Sequence, residues 1–172
     1  NPTSSAGFGG SLAVTSNLVL MSGSNAAYLY NLTTGERLQT FHDPAPKQGD
    51  SFGASVALAG NKVVIGGFER TGAIDGGPIA GFGTAYLFDA TSGELLHSFS
   101  DPIPGNLDKF GTALALSDSS VVAGMPGWSS STGRVRAFDG RTTVNAPPEA
   151  VGDAYRVNED STLVIAAPGV LA

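Results

Sequence analysis

Phe8-Gly-Gly-Ser-Leu-Ala-Val14, Phe52-Gly-Ala-Ser-Val-Ala-Leu58 and Phe110-Gly-Thr-Ala-Leu-Ala-Leu116 are three copies of one heptapeptide with conservative changes. The residues after each copy repeat as well. Asn17-Leu-Val-Leu-Met-Ser, Asn61-Lys-Val-Val-Ile-Gly and Ser119-Ser-Val-Val-Ala-Gly each begin nine residues after their Phe. Next come Ala27-Tyr-Leu-Tyr-Asn, Ala85-Tyr-Leu-Phe-Asp and Val135-Arg-Ala-Phe-Asp. The first two copies add Thr33-Thr-Gly-Glu-Arg-Leu-Gln-Thr-Phe and Thr91-Ser-Gly-Glu-Leu-Leu-His-Ser-Phe, each followed by Asp-Pro-x-Pro at Asp43 and Asp101. Phe8 and Phe52 are 44 residues apart, and Phe52 and Phe110 are 58 apart. The difference lies in a glycine-rich insertion between Phe68 and Phe82. Repetition of this kind means units that bury their apolar faces against one another.

Each copy reads as four short antiparallel strands. In the first, Ser11–Thr15, Leu18–Ser22, Ala26–Leu32 and Arg37–His42 carry β-branched and aromatic residues with turn residues between them. Ala59-Gly-Asn61 and Thr33-Thr-Gly35 supply the positive φ that tight turns need. No window has a helical period. A repeat of roughly 40–50 residues in four strands is the signature of a β-propeller blade. A solenoid, the competing architecture, has shorter repeats with one or two strands each. The expectation is all-β: about three propeller-type blades over residues 1–141.

The Phe-Gly-x-Ser-Val-Ala start followed by Val-Val-Ile-Gly resembles the FG-GAP repeats of integrin α-subunits and of many bacterial surface proteins. The hairpin Tyr86-Leu-Phe-Asp-Ala-Thr-Ser-Gly-Glu-Leu-Leu-His-Ser-Phe is similar to the strand–turn–strand signature of quinoprotein-like propellers. That family commonly has Trp near the end of this strand, where this chain has Gln39 or Thr40 and His97 or Ser98. The departure argues against a quinone site. Residues 142–172, and most closely Asn145 to Ala172, resemble the opening of a cadherin-like or immunoglobulin-like repeat of large bacterial surface proteins. Such a sandwich needs ~100 residues, so the resemblance implies an incomplete β-sandwich segment after a Pro147-Pro148 link. Two full blades and three strands of a third do not close a ring of about four to eight blades. The expectation is a piece of a longer polypeptide or a unit whose blades are completed by other copies, since open strand edges invite pairing.

Composition narrows the function classes. The net charge is −6, with only 9 Lys and Arg, which argues against a nucleic-acid partner because phosphate backbones call for a basic surface. There is no cysteine, so no disulfide framework. No apolar run approaches ~20 residues, so no membrane-inserting helix is expected. The acidic, glycine-rich composition fits an extracellular or cell-surface setting.

No catalytic group stands out. His42 and His97 fall out of register with each other and read as partly exposed strand residues. The insertion offers Glu69, Arg70 and Asp75, a poor catalytic set. Trp128, in the Pro126-Gly-Trp-Ser-Ser loop, is the candidate ligand-binding aromatic; the competing reading is that it covers a neighbouring blade's edge. Calcium is the one cofactor the FG-GAP resemblance brings in, but the Asp-x-Asp-x-Asp-Gly loop of integrin-type blades is absent. Asp75 is its nearest approach, and Asp153, Glu159 and Asp160 resemble the acidic positions of cadherin-like repeats. These four are the candidate metal ligands. Asp50 and Asp108 recur two residues before a Phe-Gly, as Asp43 and Asp101 recur before Pro, and recurrence favours turn capping over metal binding.

The leading functional expectation is a non-catalytic adhesion, scaffolding or ligand-display module with a protein or glycan partner. The alternatives are a self-assembling fibre subunit whose partner is a further copy of itself, and the propeller part of a secreted hydrolase or lyase.

Overall fold

A computed structural model describes residues 8–23, 25–46, 51–71, 80–102, 108–127 and 132–140. The described residues form strands and turns only, in three antiparallel sheets that each follow chain order, none closed into a barrel. The first sheet holds β1 (Leu12–Val14), β2 (Leu18–Gly23), β3 (Ala26–Asn31) and β4 (Arg37–His42). The second holds β5 (Ser55–Ala59), β6 (Lys62–Thr71), β7 (Ala80–Asp89) and β8 (Leu95–Ser100). The third holds β9 (Ala113–Leu116), β10 (Ser120–Met125) and β11 (Arg134–Asp139). The strands expected from the first copy are these, to within a residue or two at each end.

The repeat in sequence is a repeat in register. Leu18 pairs with Asn31, Lys62 with Asp89 and Ser120 with Asp139, the same position in each copy. A shift in pairing recurs between Leu29 and Tyr30 and between Leu87 and Phe88. The insertion between Phe68 and Phe82 lengthens the β6–β7 ladder, whose pairing continues to Thr71 and Ala80.

Each sheet has a back face toward the preceding sheet and a front face toward the next. One core lies between the first and second sheets, where Leu20, Leu29 and Phe41 meet Val56, Val63 and Ile65. A second lies between the second and third sheets, where Val64, Leu87 and Phe99 meet Phe110, Val121 and Ala123. The middle sheet is therefore covered on both sides. That is why Val63, Val64 and Ile65 are consecutive and all fully buried, although successive strand residues point to opposite faces. In β10, covered on one side, burial alternates along the strand. Burial of each large apolar side chain in these joints contributes about 1.5–3 kcal/mol.

The Phe-Gly dipeptide makes the joint. Its glycine has φ of 85° at Gly9, 90° at Gly53 and 80° at Gly111, a region that side-chain-bearing residues avoid. The turned backbone lets each glycine N–H donate to its own second strand, at Ser22 (2.8 Å), Gly66 (3.0 Å) and Gly124 (3.1 Å). The phenylalanine is thereby set into the preceding sheet. Phe52 packs on Tyr86 and edge-on to Phe88, which also meets Phe41 of the first sheet. Phe110 packs edge-on to Phe138, which meets Phe99 of the second. Phe52 and Phe110 are each 1% exposed, whereas Phe8, with no sheet behind it among the described residues, is 42% exposed.

The serine of Phe-Gly-x-Ser adds a polar stitch. Ser11 Oγ accepts from the Val56 N–H at 3.1 Å, and Ser55 Oγ donates to the Gly111 carbonyl. The third copy has Ala113 there.

Candidate functional site

The turn ends of the second and third sheets enclose a groove of about 340 Å³ lined by Ala59, Asn61, Lys62, Asp89, Leu96 and Asp118. Asp89 closes the β7–β8 turn. Its Oδ1 accepts the Thr91 and Ser92 N–H groups, each at 2.8 Å, and its Oδ2 accepts from Asn61 Nδ2 at 2.7 Å. Asn61 Oδ1 in turn accepts the Thr91 hydroxyl at 2.7 Å. Asn31 performs the same task one copy earlier, accepting from Thr33 (2.8 Å) and Thr34 (3.0 Å). The Ser92 amide first, then the Thr91 amide and the Ser92 and Asn61 side chains, hold the Asp89 carboxyl below the usual aspartate range, against a smaller opposing effect of burial.

Lys62 crosses the groove to the third sheet. Its Nζ donates to the Gly140 carbonyl at 2.6 Å and to the Asp118 carbonyl at 3.3 Å. At the equivalent positions stand Leu18 and Ser120. Comparing the copies position by position would have picked out Lys62, a cation where the others have none, and likewise Arg136, which stands where the other copies have Tyr28 and Tyr86. Neither residue recurs between the copies, so repetition does not mark them.

The recurrent acids take unequal roles. Asp43 caps its turn, accepting from the Ala45 N–H at 2.9 Å. Asp101 is buried, and its Oδ1 lies 3.0 Å from Arg136 Nη2; the residues whose amides it would cap lie outside the described residues. Arg136 arrives from the third sheet, a partner that the local Asp-Pro-x-Pro pattern does not encode. Asp108 is buried too, while Asp50 falls outside the described residues. His42 and His97 are exposed, and the His97 ring lies 4.6 Å from that of Phe99.

The candidate metal ligands Asp75, Asp153, Glu159 and Asp160 and the candidate aromatic Trp128 all lie outside the described residues, as does the whole of 142–172. Among the described residues, no three His, Asp or Glu side chains come together as a cation would require. No helix among them is long and apolar enough to cross a membrane.

Chemically, the groove offers an ammonium group, carboxylates and an amide beside two aliphatic side chains. Such a set suits the hydroxyls of a polar ligand. It suits proton transfer poorly, because a general acid or base works best with a pKa near the working pH and Asp89 is held on the far side of its ordinary value. No known protein family matches the chain, and no curated protein matches it.

Proposed function

We propose that this chain is a non-catalytic extracellular module, part of a cell-surface protein, that serves adhesion, scaffolding or ligand display. The observation that supports this most directly is how its recurrent polar side chains are used. Ser11 and Ser55 stitch neighbouring sheets, and Asn31, Asp89 and Asp43 close turns. The turn that Asp89 closes holds its carboxyl below the usual aspartate range, in keeping with a role in rigidity. The FG-GAP-like repeats and the acidic composition point to the same extracellular setting.

The reading is tested by screening the purified chain against glycan arrays and extracellular-matrix proteins, alongside chromogenic ester, glycoside and uronide substrates. Saturable binding without turnover is the expected result. Turnover that follows the chain through purification and is abolished by Asp89→Asn would instead establish the hydrolase or lyase alternative.

A further inference from the structure

The three sheets form a series in which, among the described residues, every back face but one is covered. The uncovered one belongs to the first sheet. Leu12 is 60% exposed, Val14 66% and Leu32 48%, where the equivalent Val56 and Ala90 of the second sheet are 6% and 4%. The face is built like its covered counterparts. Phe8 packs on Tyr28 with ring centroids 5.7 Å apart, as Phe52 packs on Tyr86 at 5.8 Å. Tyr30 stands where Phe88 and Phe138 stand, yet those two rings each meet a phenylalanine of the preceding sheet, Phe41 and Phe99. An apolar sheet face of this composition is not usual on a monomer's surface.

At the other end of the series the third sheet presents the complementary surface. Its front face carries Ala115, Val122, Val135 and Ala137, in register with the Ala57, Val64, Ala85 and Leu87 that cover the third sheet's own back. Val135 is 69% exposed. This front is leaner than its counterparts, with Ala137 in place of Leu29 or Leu87 and no phenylalanine after β11 to match Phe41 or Phe99. The open back is correspondingly bulkier at one position, with Leu32 where the other copies have Ala90 and Gly140.

From this we infer that the chain assembles head to tail with a second copy of itself, the front face of one copy's third sheet seating on the back face of the other's first sheet. Both joints inside the chain mate such a front with such a back, so the contact between copies continues an interface already present twice. Lean front against bulky back keeps the packed volume of the joint. Because the two mating surfaces differ, the interface is heterologous, and each copy keeps one face of each kind for further assembly. The inference is independent of ligand binding and stands or falls separately from the proposed function.

The test uses two charged substitutions at exposed positions, Val14→Asp on the back face and Val135→Asp on the front, with circular dichroism to show that both fold. Light scattering over a wide concentration range should give the wild-type chain a mass that rises to a multiple of the monomer's. Each variant alone should stay monomeric. Mixed in equal amounts they should form a dimer and nothing larger, since the intact front of one meets the intact back of the other. A wild-type chain monomeric at every concentration overturns the inference and assigns the open face to a blade outside this chain. Loss of assembly in Val14→Asp but not in Val135→Asp overturns it in favour of back-to-back contact, and a mixture that stays monomeric overturns it as well.

Discussion

Arg136 reaches out of β11 to place Nη2 3.0 Å from Oδ1 of Asp101, tying the end of the second sheet to an outer strand of the third. The carboxylate is almost wholly buried, and the guanidinium is about a quarter exposed. The pair takes the place of an aromatic contact, because the residues equivalent to Arg136 in the other copies are Tyr28 and Tyr86.

Arg136→Ala should therefore cost about 2 kcal/mol. Loss of one partner of a buried pair costs about 3–5 kcal/mol, and the exposure of the guanidinium reduces that through solvent screening. Arg136→Lys should recover only part of the loss, since an ammonium cannot reproduce the planar fork. Urea denaturation of the two variants is the measurement. An Arg136→Ala variant as stable as wild type would show that the pair adds nothing to the joint.

Gly83 runs against the backbone of Phe110. A Cβ on Gly83 would lie 1.7 Å from the Phe110 carbonyl oxygen and 2.6 Å from its carbonyl carbon. Neither atom belongs to a flexible side chain, so the sheets would have to part. Gly83→Ala should lose at least about 3 kcal/mol. Gly9→Ala, where nothing lies within 4 Å but φ is +85°, should lose only about 1–2 kcal/mol, through the backbone alone. Thermal melts of the two variants side by side separate crowding from backbone strain.

The three repeated phenylalanines should not be equal in value. Phe52→Ala and Phe110→Ala each empty a sealed joint and should cost roughly 3–5 kcal/mol. Phe8, on the open face, should cost under about 1.5 kcal/mol in dilute solution, in keeping with its smaller buried area. Chemical denaturation at low protein concentration makes the comparison. Losses under ~1 kcal/mol at Phe52 and Phe110 would contradict their placement in the joints.

Asp89 gives the chain a pH signature. Its folded carboxyl titrates below the usual aspartate value, so the stability it contributes is present above that usual value, about 3.9. It is lost as pH falls through the lower folded value. Asp89→Asn keeps the turn, because Asn31 already closes the matching turn of the first sheet with the same two amide contacts. The wild-type advantage in Tm over Asp89→Asn should therefore be larger at pH 7 than at pH 3. Asp89→Ala, which leaves the turn amides without their acceptor, should lose about 1 kcal/mol at neutral pH. A Tm difference that does not change with pH would contradict this origin of the pH dependence.

The elements that depend only on neighbours in the chain were legible in the sequence. Strand limits, the turn at Gly60 (φ 53°), the turn at Gly35 (φ 70°) and the three-copy order all rest on contacts within a few residues or within one hairpin. Much of the groove was not legible. Lys62 reads locally as a strand residue among valines, and it becomes a clasp because the carbonyls of Asp118 and Gly140 lie opposite it on another sheet. The sequence-derived candidates Asp75, Trp128, Asp153, Glu159 and Asp160 lie outside the described residues.

By itself the sequence determined the repeating hairpins and which residues share a face, because alternation along a strand and positive φ at glycine are properties of the local chain. Only the tertiary structure decided what each face meets. Identical Phe-Gly signals produce a sealed Phe52 and an open Phe8, and of the two Asp-Pro turns the one at Asp101 gains an arginine from another sheet. The physical reason is that burial and charge pairing depend on the sheet across the joint, and no residue carries in its own neighbourhood the identity of the surface it will be packed against.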